Sequence, residues 1–335
     1  MSNRLNLYLL PIWIAVFAVL VPLKPAQAQQ TPPVQTPARS TNSVPAQSKP
    51  AAANPKTLRV YHVGNSITDM INYRGLQLLA ESQGHTYAFG RHMIPGAPMS
   101  WIWEHPASGF KEDPSGYYQD ALKNYNWDVL TLEPFDRHLD GKDGDLAMAK
   151  NFIDLALRKS PDLRIYIYSR WPRRENDGSL GYDKKWLRLY TGGWDNTEET
   201  RDYFEKVTDT LRKAYPELSK RILLVPVGDV LYELNLRMKA GKVKDFKSVK
   251  ELYADGIHLT NIGSYVVGCT FYATLFQEDP KGLPAAPYKI TDAELATTIQ
   301  DTVWQVVKAH PLAGIASDIS APKSNTTAIG KPLRQ

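Results

Sequence analysis

Between Thr57 and Leu312, short apolar runs alternate with segments whose apolar residues recur at three- and four-residue spacing. The runs Leu58–Val63, Thr86–Gly90, Asp128–Leu132, Arg164–Tyr168 and Ile222–Val227 are rich in branched and aromatic residues, which predicts five strands. Helical spacing predicts helices over Asn72–Gln83, Tyr117–Asn124, Asp145–Lys159, Thr197–Ala214, Asp229–Lys239 and Thr260–Phe276. A last helix opens at the capping-box pattern Thr291-Asp292-Ala293-Glu294 and runs to Ala309. Strands that are apolar along most of their length, with helices between them, predict a parallel sheet covered on both faces. Such sheets bind ligands outside the carboxyl ends of their strands. Three longer loops leave those ends, at His92–Gly116, Pro134–Gly144 and Arg170–Asn196. They carry Trp101, Trp103, Trp171, Trp186 and Trp194 and are expected to wall a site there.

Outside 57–312 the pattern changes. Arg4, the apolar run Leu7–Leu23 and Ala26-Gln27-Ala28 make residues 1–28 a secretory signal peptide. Pro11, Pro22 and Lys24 leave that run short of the ~20 residues a spanning helix needs, so no stable membrane insertion is expected after cleavage. Residues 29–56 are rich in Pro, Gln and Ala and read as a disordered linker. The tail 313–335 reads likewise as disordered. Cleavage removes Arg4 and Lys24 and no acid, taking the net charge from +5 to +3 (5 − 2). With no dense basic stripe, nucleic acid is not an expected partner. The single cysteine, Cys269, cannot form an internal disulfide and is expected as a buried small hydrophobe. An exported chain without disulfides fits a bacterial periplasm or exterior.

The chemistry concentrates in the stretch Val60-Tyr61-His62-Val63-Gly64-Asn65-Ser66-Ile67-Thr68-Asp69. A strand breaks at Gly64 and a helix follows, so Ser66 sits on a tight strand-to-helix turn. Its hydroxyl is lifted off the sheet and its N–H lies where donors are free. That suits an acyl-transfer nucleophile. Such a nucleophile needs a base, and the base needs an orienting group. In Asp255-Gly256-Ile257-His258 two intervening residues let one loop turn both side chains the same way, the carboxylate holding one imidazole nitrogen and the other facing Ser66. The histidines His62, His92, His105 and His138 show no ligand spacing, so no metal is expected.

Gly64-Asn65-Ser66 near the start of the domain and Asp255-x-x-His258 near its end resemble the SGNH (GDSL-type) serine hydrolases. The stretch Asp255–Gly263 is similar to that family's last block. Tyr272-Ala273-Thr274-Leu275-Phe276 resembles a poorly characterised bacterial branch with Gly-Asn-Ser. The resemblance covers 57–312 and implies a flavodoxin-like three-layer α/β/α sandwich with a five-stranded parallel sheet. It implies catalytic Ser66, His258 and Asp255, an oxyanion hole from the N–H groups of Ser66 and Gly96, and no cofactor. The family's third block has an Asn that this chain lacks; after the third strand comes Glu133-Pro134-Phe135-Asp136. Glu133 is therefore expected at the site, paired with a cation such as Arg137 or Arg170, protonated, or turned to sugar hydroxyls, the alternative being a purely structural turn residue. Trp101, Trp103, Arg170 and Trp171 are further candidates for substrate contact. The implied activity is an exported serine esterase removing acetyl or other short acyl groups, with an acylated small molecule or glycan as substrate. The rival readings are a lipolytic esterase or thioesterase, and a non-catalytic carbohydrate-binding module on the same fold.

Overall fold

A computed structural model describes residues 54–174 and 180–315. All of them belong to one folded unit, Lys49–Gln335. The expected signal peptide, most of the expected linker and the expected tail beyond Ile315 lie outside the described residues.

The sheet contains strands β1 (Thr57–Gly64), β2 (Thr86–Met93), β3 (Phe110–Lys111), β4 (Val129–Leu132), β5 (Arg164–Tyr168) and β6 (Ile222–Val225). Their spatial order is β3-β2-β1-β4-β5-β6. β1, β2, β4, β5 and β6 run parallel, in a flavodoxin-like doubly wound arrangement. The expected five-stranded parallel sheet is thus present, with one addition. The two-residue β3 pairs antiparallel with the end of β2 through His92–Lys111 and Met93–Phe110. Two residues are too few to leave a periodic signal in the sequence.

Helices α1 (Tyr73–Glu81), α2 (Met99–Glu104), α3 (Tyr118–Asn124), α4 (Asp145–Leu157), α5 (Tyr182–Trp186), α6 (Arg201–Ala214), α7 (Val227–Lys239), α8 (Asn261–Phe276) and α9 (Ala293–Ala309) complete the layers. α1, α7, α8 and α9 pack together, while α2, α3 and α6 gather on α4. α8 is buried on nearly every side, which is why its sequence is apolar throughout rather than amphipathic. α9 starts one residue later than the capping-box pattern implied. Asp292 is its N-cap, its carboxylate accepting from the N–H groups of Glu294 and Leu295.

Gly90 does not end β2, as the sequence suggested, but lies inside it. A Cβ there would come within 2.8 Å of the Trp127 and Tyr61 rings and 2.7 Å of Ser115 Oγ, so glycine permits close packing in mid-strand. His62 is fully buried on β1, its Nδ1 2.7 Å from Thr131 Oγ1 and its Nε2 2.6 Å from the Tyr87 hydroxyl. Cys269 is buried and free.

The strand order reverses at β1, whose two neighbours are β2 and β4. This is the topological switch point, where the loops after β1 and β4 diverge and leave a crevice. Ser66 follows β1 and Glu133 follows β4.

Candidate active site

The chain after β1 makes one turn, Asn65–Ile67, before a short 3-10 helix at Thr68–Ile71; α1 starts only at Tyr73. Ser66 therefore precedes a 3-10 helix rather than the N-terminus of α1. Its donor comes from the turn itself. The N–H groups there can be accounted for one by one. Asn65 N–H donates to Glu133 Oε2 (3.0 Å), Ile67 N–H to Asn65 Oδ1 (2.9 Å) and Thr68 N–H to Asn65 O (3.0 Å). Of the four N–H groups from Asn65 to Thr68, only that of Ser66 is left without an acceptor among the described residues. The turn thus consumes each of these donors except that of Ser66 itself.

The facing loop is held by its own acid. Asp255 Oδ1 accepts from the N–H groups of Ile257 (2.8 Å) and His258 (2.7 Å), and Ala254 N–H closes the loop on His258 O (2.8 Å). Asp255 Oδ2 lies 2.8 Å from His258 Nδ1, and His258 Nε2 lies 2.8 Å from Ser66 Oγ. The Ile257 N–H first, then the His258 ring, hold the Asp255 carboxyl down to about 2. An ionised Asp255 can only accept, so Nδ1 carries the proton and Nε2 is free to accept from the Ser66 hydroxyl. The structure therefore brings Ser66, His258 and Asp255 together in the order a nucleophile, base and orienting acid require.

The two loops are tied together. Ser264 Oγ donates to Met70 O (2.7 Å) and the Tyr288 hydroxyl to Ile71 O (3.1 Å), joining the 3-10 helix after Ser66 to α8 and the segment before α9. Trp171 Nε1 donates to Ile257 O (2.8 Å) and Arg174 N–H to Gly256 O (2.8 Å), joining the β5 loop to the histidine loop.

Gly96 lies in a turn closed by Ala97 N–H on Ile94 O (3.1 Å), after Pro95 and with φ +69°. A Cβ would meet nothing within 4 Å, so glycine is needed for the left-handed backbone rather than for room. The turn is pinned beside the Gly64–Ser66 segment, Ile94 N–H donating to Gly64 O (3.3 Å) and Asn65 Nδ2 to Ala97 O (3.2 Å). Among the described residues the Gly96 N–H also has no acceptor. Asn65 is fully committed to this scaffold: its side chain holds Ile67 and Ala97 and is buried.

Four of the expected substrate contacts are corrected. Glu133 is 1% exposed and lies beneath the Asn65–Ile67 turn, its Oε2 accepting from Asn65 N–H and from the Thr68 hydroxyl (2.9 Å). It is not ion-paired: Arg170 binds Asp136 (3.0 Å) and Glu199 (3.3 Å) instead, and Arg137 donates to Ser100 Oγ and Asp136 O. Arg170 is fully buried because those two carboxylates and the face of Phe135, 4.6 Å away, replace its water. Trp171 is also fully buried and reaches the site only through Ile257. Trp103 packs against Tyr118 and Phe152 rather than facing substrate. Trp101, one turn beyond Gly96 on α2, is 48% exposed, with its ring stacked on His105. Sequence reasoning missed Thr68 as a partner of Glu133. It also missed why Gly64 must be glycine: a Cβ there would meet Thr68 Oγ1 and lie 2.7 Å from Glu133 Oε2.

No family model and no curated protein matches the sequence. Among solved structures, the chain is similar to a DUF4886 family protein from Bacteroides uniformis. The two share 19% identity over 75% of this chain and 95% of that one, with a TM-score of 0.53. Looser likenesses include a protein named as a GDSL-like lipase from Parabacteroides merdae (15% identity, 70% and 100% coverage, TM-score 0.38). Another is a Clostridium thermocellum family 3 carbohydrate esterase (16%, 64% and 94%, TM-score 0.39). The first likeness speaks for a shared fold alone; the other two are too distant to add to it. The chain therefore shares the fold of that DUF4886 family protein, and the order of Ser66, Asp255 and His258 along it is the one the SGNH (GDSL-type) resemblance implies.

Proposed function

We propose that the protein is a serine esterase that removes short acyl groups, acetyl foremost, from a carbohydrate. The observation that carries the reading is the chain of hydrogen bonds from Asp255 through His258 to Ser66, at 2.8 Å for each side-chain link. Ser66 attacks the ester carbonyl while His258 Nε2 takes its proton. The Ser66 and Gly96 N–H groups hold the oxyanion, and His258 returns the proton to the leaving alcohol. Water activated by His258 then releases the acid from the acyl-enzyme. The carbohydrate side of the reading is supported by the open rim. His258 and Asp255 are 34% and 56% exposed, which suits a small acyl group on a bulky alcohol. Exposed Trp101 offers a flat face to a sugar ring. A cleft of about 400 Å³, lined by Arg137, His138, Asp140, Lys142 and the edge of Trp194, opens on the loop after β4.

The test is hydrolysis of acetyl, butyryl and longer aryl esters and of acetylated oligosaccharides, beside Ser66→Ala and His258→Ala. Both substitutions should abolish turnover to a similar extent, because the pair acts as one unit. A fluorophosphonate should label Ser66 alone. Retention of more than a few per cent of activity in either variant would refute the assignment. Export belongs to the same proposal, with cleavage after Ala28 and a mature N-terminus at Gln29, read by sequencing the exported protein. Among the described residues, no helix is long and apolar enough to cross a membrane.

A further inference from the structure

We infer that Glu133 is the positioning residue of the nucleophile turn, its carboxylate gripping Asn65 and Thr68 so that the Ser66 hydroxyl and N–H stay aimed at the reacting carbonyl. The inference rests on the serine-esterase reading and adds to it the group that makes the turn rigid.

The grip is two-handed. The backbone N–H of Glu133 donates to Val63 O (3.1 Å), where β1 ends, while its Oε2 accepts from the Asn65 N–H (3.0 Å) and the Thr68 hydroxyl (2.9 Å). Those two donors lie one residue before and two residues after Ser66. Both are reached from the next strand across the switch point, so the turn is fixed to the sheet rather than only to itself. Gly64 keeps the space between them clear.

A packing role alone does not account for the carboxylate. Its Oε1 is buried without a hydrogen-bond partner, a cost that an apolar side chain of similar size would avoid. What an apolar residue could not do is accept from Asn65 and Thr68. Deprived of their acceptor, these donors would be buried unsatisfied, and the turn would relax toward other partners, taking the Ser66 N–H with it. Burial pushes Glu133 up to about 7, against the pull of Asn65, Arg170 and Thr68. Either protonation state serves, since a proton on Oε1 leaves Oε2 as acceptor. Glu133 acts as an acceptor, not as a charge.

This separates glutamine from alanine. We compare wild type, Glu133→Gln, Glu133→Ala and Thr68→Val by kcat and KM on an aryl acetate, by the rate of fluorophosphonate labelling at Ser66, and by thermal melting. Glu133→Gln should keep kcat within ~3-fold, because an amide oxygen still accepts. Glu133→Ala should lose ~10²-fold in kcat at little changed KM, the scale of a misplaced oxyanion donor. Thr68→Val, nearly isosteric, should lose ~5-fold with a near-normal melting temperature, its labelling slowed in step. Wild-type kcat in Glu133→Ala, or a Glu133→Gln as slow as the alanine variant, overturns the inference. Should Glu133→Ala fail to fold, Thr68→Val decides, and unchanged labelling there overturns it. A wild type that neither hydrolyses esters nor labels at Ser66 overturns the esterase reading and this inference with it. Normal labelling in wild type with unaffected Glu133→Ala and Thr68→Val overturns this inference alone.

Discussion

Trp171 holds His258 without touching it. The Trp171 indole N–H donates to the carbonyl of Ile257 at 2.8 Å, and the ring is wholly buried at the end of β5. Since Ile257 N–H is itself bound to Asp255, the indole fixes the peptide on which the Asp255–His258 geometry rests. Trp171→Phe keeps most of the packing and removes that one hydrogen bond, typically worth about 1 kcal/mol. A ~5-fold fall in kcat is expected, with a small drop in melting temperature. Steady-state kinetics and a thermal melt check both.

Gly64→Ala should damage the site more than the fold. The added methyl meets the Thr68 hydroxyl and lies 2.7 Å from Glu133 Oε2, so the turn must shift away from its anchor. The sheet can absorb that shift at a strand end. The expected outcome is a loss of at least ~10²-fold in kcat, the scale of a displaced oxyanion donor, in a protein that still unfolds cooperatively.

Trp101 and Trp103 stand two residues apart on α2 and should behave oppositely. Trp101 is 48% exposed, so Trp101→Ala should leave the melting temperature near wild type and raise KM for an acetylated oligosaccharide more than for an aryl acetate. Trp103 packs on Tyr118 and Phe152, so Trp103→Ala should cost stability, about 3 kcal/mol or less, given partial burial. Equal effects of the two substitutions on KM would remove Trp101 from the substrate path.

His62 predicts an acid limb of stability. Burial first, and the charge of Arg91 second, lower this histidine from 6.5 to about 3. The folded state therefore refuses a proton that the unfolded state accepts. Stability from this group is fully present above pH 6.5 and is lost as pH falls from there toward 3, with a slope approaching about 1.4 kcal/mol per pH unit. His62→Gln should flatten that part of the stability curve while lowering stability at pH 8, where the neutral ring's bonds to Thr131 and Tyr87 are lost. Denaturant melts between pH 3 and 8 measure both effects.

The tight turn at Ser66, the pairing of Asp255 with His258 and the doubly wound sheet could be read from the chain because each is encoded by neighbours. Asp255 binds the N–H groups two and three residues ahead, a local geometry its spacing alone dictates, and Gly64 before Asn65-Ser66 marks where β1 must end. Parallel strands buried on both faces announce themselves as apolar runs. Tertiary structure decided what surrounds these residues. Arg170, Trp171 and Glu133 have the composition of a binding surface, yet all three are buried, because their partners come from elsewhere in the chain. Asp136 and Glu199 neutralise Arg170, Ile257 satisfies Trp171, and Asn65 with Thr68 engages Glu133 from 68 and 65 residues away. Whether a polar side chain faces water or an internal partner depends on where the crossovers bring distant strand ends. A strand pattern sets period and face but not which loops will meet, so Glu133 is legible as a residue at the switch point, and only the fold turns it under Ser66.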